Sequence, residues 1–155
     1  MGLIGVSIDG AQAMARKLEK MGVDLLESQR RGIAKAGRIM ANRSKHLVTG
    51  QVLNIKTGHL RRSINSGDPF REQQGYAVRV GVLRGNAEKY APIHEFGGDV
   101  RRVSRLTKRQ GPGKPFVAHY KARRYIGIAF DEIRPQVPRI LADEIQQAVN
   151  RATSG

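Results

Sequence analysis

The chain has 155 residues and carries 28 Lys and Arg against 13 Asp and Glu, a formal net charge of +15. That length suits one domain with its own core, and that charge implies acidic partners or polyanionic surroundings. With no cysteine, disulfide frameworks, thiolate zinc sites and cysteine nucleophiles are excluded, in keeping with an intracellular assembly environment.

The apolar start from Met1 to Val6 is too short for a signal peptide, and no later stretch approaches the ~20 apolar residues of a membrane-spanning helix, so a soluble protein is expected. Residues 3–8 read as a short strand, with Asp9 and Gly10 opening the next element. From 11 to about 47 the pattern is helical: Met14, Leu18, Met21 and Leu25 share a stripe, which Ile33, Ala36 and Met40 resume after a phase shift. Gly22, Gly32 and Gly37 each weaken that helix by up to ~1 kcal/mol relative to Ala. A bend or break near Gly32 is therefore expected, or else a small-residue face that admits a close neighbour. Residues 49–56 are turn-rich. Thr57 is placed as an N-cap, with Gly58 behind it and with Leu60 and Ile64 on one face of a short helical turn that leaves Arg61 and Arg62 outward.

Residues 68–75 read as a polar connection, and 76–82 as a strand with Tyr76, Val78, Val80 and Val82 on one face. In the following segment, Tyr90, Ile93 and Phe96 recur at helical spacing and are expected to point into a core, with Gly97 and Gly98 ending the turn. On that reading, truncating Phe96 or Tyr90 to Ala costs roughly 3 kcal/mol. Two further strands are expected over 100–106 and 115–120, joined by an exposed, mobile basic loop at 107–114. The last element, 134–152, is an amphipathic helix with Val137, Ile140, Leu141, Ile145, Ala148 and Val149 buried and Pro135 and Pro138 near its start. The expected architecture is a single α+β domain over 1–155, with a long N-terminal helix and a C-terminal amphipathic helix packed on a small, mainly antiparallel sheet.

Chemistry is hard to find in these residues. His94 beside Glu95 suggests a metal ligand or proton shuttle, but a zinc-protease helix needs a second His where Gly98 stands. Local hydrogen bonding by both groups is the preferred reading. Gly111 and Gly113 precede Lys114 and Pro115, which is the wrong order for a phosphate-binding loop. A hydrolase would have to draw on Glu88, Glu95 and Asp99, which read as turn and cap residues. His46, His59, His94 and His119 fall on different elements. No catalytic, cofactor-binding or metal-ligating residue is assigned, and a non-enzyme is expected. The charge is more telling. Between Asp99 and Asp131 there is no acidic residue, so Arg101, Arg102, Arg105, Lys108, Arg109 and Lys114, with Arg61 and Arg62, form a candidate DNA or partner contact.

Four stretches in order carry a resemblance. Thr57-Gly58-His59-Leu60-Arg61-Arg62-Ser63-Ile64, the Val-rich strand, and Tyr90-Ala91-Pro92-Ile93-His94-Glu95-Phe96-Gly97 are followed by Ala122-Arg123-Arg124-Tyr125-Ile126-Gly127-Ile128-Ala129, or alternatively by Lys114-Pro115-Phe116-Val117. The set, from about Thr49 to Phe130, resembles the tail-completion and neck proteins of long-tailed bacteriophages, whose pattern runs TG-x-L-R-R-S-I, strand, Y-A-x-x-x-E-F-G and A-R-P-F-L-x-x-A. Arg124 stands where that pattern has Pro. The resemblance implies a virion subunit of the neck or tail end, made in the host cytoplasm. Such a subunit completes the tail and helps join it to the head as part of a homo-oligomeric ring. Its partners would be a tail terminator, connector or adaptor, its motif residues would be Thr57, Gly58, Leu60, Tyr90, Phe96 and Gly97, and it would meet genomic DNA only nonspecifically. The rival reading is a small basic nucleic-acid-binding module unrelated to virions.

Overall fold

The computed structural model describes residues 2–4, 16, 19, 24–51, 58–73, 75–83, 85–103 and 114–153. The fold is α+β, as the sequence predicts, and it is organised around one helix. Helix α1 (Leu25–His46) starts where Asp24 leaves the helical region and its side chain accepts the Glu27 N–H at 3.0 Å. Asp24 and Glu27 together are a capping signal inside the stretch that periodicity reads as one helix from 11 onward. Of 11–23, only Arg16 and Glu19 are described, both helical. The helix runs unbroken through Gly32 and Gly37. A Cβ on Gly32 would lie 2.6 Å from Leu141 Cδ2, and one on Gly37 would lie 2.6 Å from Ser66 Oγ and 2.9 Å from Val78 Cγ1. Close packing, not a bend, is what these glycines permit.

The sheet has β4 (Gly75–Val82) at its centre, paired antiparallel with β1 (Gly2–Ile4), β2 (Ile64–Ser66) and β3 (Phe70–Glu72). Ile64 faces Val82 while Phe70 faces Ala77, so the register slips by one residue across 67–69. This is a bulge, and Pro69, which has no N–H to give a ladder, sits in it. Strand β3 lies inside the 68–75 stretch predicted as a connection. It is held partly by the Arg79 guanidinium, 4.9 Å above the Phe70 ring. The strand β4 prediction holds, with Val78 and Val80 fully buried.

Helix α2 (His59–Ser63) precedes β2. Its N-cap position is Gly58, at φ 68°, and not Thr57, which lies outside the described residues. Ile64 is already extended strand, so it does not share a helical face with Leu60. At the C-terminal end the predicted last helix is preceded by another: α4 (Tyr125–Ile133) runs through a 3₁₀ turn at Arg134–Gln136 into α5 (Val137–Thr153). Helix α1 packs against β2, β4, α4 and α5, and one core joins Ile33, Ala36, Met40, Ile64, Val78, Val80, Tyr125, Ala129, Val137 and Leu141. Arg43 to Glu132 and Lys35 to Glu144 strap α1 to α4 and α5 at the surface. Among the described residues no helix is long and apolar enough to cross a membrane.

Candidate functional site

Helix α3 (Ala91–Phe96) follows a 3₁₀ turn at Asn86–Lys89, and Gly97 at φ 73° ends it. Its inward residues are Ala91 and Glu95, one helical turn apart. Tyr90, Ile93 and His94 are half-buried, and Phe96 is 68% exposed. The expectation that Tyr90, Ile93 and Phe96 together enter the core is therefore corrected. What rotates the helix is its carboxylate, which has a partner in the interior.

That partner is the start of α4. Glu95 Oε2 accepts the Ile126 N–H and Oε1 accepts the Gly127 N–H, both at 2.9 Å. The residue before α4, Arg124, is left-handed (φ 46°, ψ 34°) and gives no side-chain cap. Two otherwise orphaned donors at the positive end of the helix dipole thus receive a negative charge from a distant element. The hydrogen bonds of Glu95 are long-range, where the sequence reading has them local. The absence of Ser, Thr, Asp or Asn at 122–124 is the signal that could have pointed to a cap supplied in trans. Behind it, the Tyr125 phenol is fully buried with no hydrogen-bond partner among the described residues. Burial first, and the Glu95 carboxylate second, push its pKa well above the ordinary tyrosine value, so it stays neutral.

The backbone completes a clasp. Arg123 N–H donates to His94 O at 2.8 Å and Arg124 N–H to Glu95 O at 3.1 Å. A Cβ on Gly97 would lie 2.7 Å from Ala122 N and 2.8 Å from Tyr120 O, so only glycine allows the two chains to cross here. The His94 ring meets Tyr90 and Tyr120 edge-on at 6.0 and 5.9 Å, and the Arg102 guanidinium lies 5.3 Å above Tyr120. Partial burial, then the charges of Arg123 and Arg102, lower the pKa of His94, which favours the neutral ring at neutral pH. Among the described residues no group of three His, Asp or Glu side chains could hold a metal.

From this clasp extends a two-stranded antiparallel ribbon, β5 (Gly98–Val103) and β6 (Pro115–Tyr120). Strand β6 matches the predicted 115–120, and β5 starts two residues before the predicted 100, while positions 104–106 of that prediction lie outside the described residues. One face carries Val100, Arg102, Phe116, Ala118 and Tyr120. The other carries Asp99, Arg101, Val103, Pro115, Val117 and His119, all exposed, with Asp99 bound to His119. Lys114 is exposed where β6 begins, whereas Arg105, Lys108 and Arg109, with most of the predicted basic loop, lie outside the described residues. Arg61 and Arg62 are exposed on α2, beside β2 and the 86–89 turn, and Leu60 packs against the core. Phe96 forms a wall of two open clefts of about 330 and 200 Å³, one reaching Ile126 and Phe130, the other Val82, Ala91 and Pro92.

Of the two stretches that could carry the fourth motif, Ala122–Ala129 leads into a helix and Lys114–Val117 opens a strand. In comparisons with known proteins, no family profile, curated protein or solved structure matches this chain.

Proposed function

We propose that this chain is a structural virion subunit of the phage neck or tail end. In this role it completes the tail and helps join it to the head, within a homo-oligomeric ring around the DNA passage. The observation that carries the reading is the clasp: the Tyr90–Gly97 and Ala122–Ala129 stretches, two of the motifs behind the resemblance, are bonded directly to each other through Glu95, Ile126 and Gly127. Such a junction explains in physical terms why a Glu-Phe-Gly turn and a later helix start would occur as an ordered pair. Arg124 departs from the family pattern, and the departure is a real one, because a proline cannot take φ 46°.

The protein acts by stoichiometric binding without turnover, and its partners are other neck and tail proteins, a terminator, connector or adaptor. An exposed ribbon and the Phe96 surface offer contact area, since large apolar side chains left in solvent commonly mark interfaces. The second reading, a basic nucleic-acid-binding module outside any virion, draws support from the positive charge on the ribbon. Native mass measurement and negative-stain imaging of the protein, alone and with tail tubes, separate the two. Rings or added density at tail ends are expected, and a strictly monomeric protein with no affinity for tail tubes would overturn the proposal.

A further inference from the structure

The β5–β6 ribbon carries an exposed arginine on each of its two faces. Arg101 and Arg102 are neighbours in sequence, so they project from opposite faces. Lys114 adds charge at the outer end and Lys121 at the foot, both exposed, and the single acid on the described ribbon, Asp99, is bound to His119. Apolar side chains are also bare on both faces, Phe116 on one and Val103 and Val117 on the other. An isolated two-stranded hairpin is marginally stable in water, and this one is tied to the body at its foot, where Tyr120 meets His94. Its outer half is built to be covered.

A flat acidic protein surface covers one face of a ribbon and leaves the other arginine in solvent. The major groove of duplex DNA, about 12 Å wide, admits a two-stranded ribbon and places phosphates on both walls. We propose that the β5–β6 ribbon is a duplex-DNA-binding arm that enters the major groove, with Arg101 and Arg102 reaching phosphates on opposite walls. With both arginines on phosphate oxygens, binding is sequence-independent, because such contacts carry no sequence information. This deepens the proposed position around the DNA passage and rests on that reading for which DNA is met. Its test stands apart.

The probe is a short labelled duplex of mixed sequence, titrated with the full chain by fluorescence anisotropy over a salt series. For the parent, the logarithm of affinity should fall linearly with the logarithm of salt concentration. Arg101→Gln and Arg102→Gln should each reduce the slope by about 0.9, and the double variant by about twice that. Arg139→Gln, at an exposed position on α5, should leave it unchanged. Arg102 also stacks on Tyr120, so thermal melting accompanies each titration, and Lys114→Gln serves as a second ribbon variant if Arg102→Gln melts early. The proposal is overturned if the parent fails to bind duplex at low salt, or if the ribbon variants keep the parental slope. It also fails if only one of the two arginines matters while polyglutamate binds as tightly as DNA, which is the signature of one-faced docking on an acidic protein. A protein that joins tail tubes without binding duplex sinks this inference alone, and one that binds duplex but ignores tails sinks the neck reading alone.

Discussion

Glu95 matters more to stability than the Phe96 beside it. Its carboxylate is buried and closes two backbone donors, so Glu95→Ala strands them in the interior, at an expected cost of about 2–3 kcal/mol. Phe96→Ala, by contrast, removes a side chain that solvent already reaches, and should change stability by no more than about 0.5 kcal/mol. Urea unfolding of both variants beside the parent checks the ranking, and a larger loss at Phe96 would refute the placement of α3. Apolar spacing alone favours the opposite order, because it treats a short charged turn as amphipathic and does not see the helix start that Glu95 serves. His94 adds a pH dependence. Its folded pKa lies below its unfolded value, so the unfolded chain binds more protons and stability should fall as pH drops through about 6.5. His94→Gln should flatten that slope in a series of denaturant melts between neutral and mildly acidic pH.

At the scale of elements, the legible parts of the fold are those with long periodic patterns. Strand β4 alternates over its full length, and α5 shows its stripe plainly, because each packs one face on the core. Strand β3 is three residues long and is specified by its pairing with β4 and by Arg79, neither visible locally. Helix α4 is apolar from Tyr125 to Phe130, with Asp131 and Glu132 as its only charged residues, and its first turn is capped from Glu95 while its end runs on into the 3₁₀ turn, so it shows no start or stop signal of its own. The glycines of α1 were open to two meanings, and close packing, of Gly32 against α5 and of Gly37 against the sheet, selects one. Gly37→Ala gains up to about 1 kcal/mol of helix propensity but collides with the stiff Val78, a steric cost of roughly 1–3 kcal/mol. A net loss of stability is expected on thermal melting. A rise in melting temperature would mean that α1 and β4 can separate freely.

For the whole molecule, the +15 charge was plain from composition, but the placing of Arg101 and Arg102 on opposite faces of one ribbon follows from strand register, which composition does not contain. Such an excess of like charge repels itself across a small domain. Moderate salt should therefore raise the melting temperature of the free protein while weakening the DNA binding proposed for the ribbon. Opposite signs from the two measurements would separate self-repulsion from partner contact, and a melting temperature that falls with screening would mean that internal ion pairs dominate.

The clasp has a mechanical side. The foot of the ribbon crosses Gly97 at Tyr120 and Ala122, and two residues before Gly97 stands the carboxylate that holds the first turn of α4. A load that tilts the ribbon therefore has a lever arm outside the domain and a fulcrum at Gly97, with its short end at the Ile126 and Gly127 amides. Hydrogen exchange at those two amides should slow or quicken when the ribbon is gripped, reporting in the core on an event at the surface.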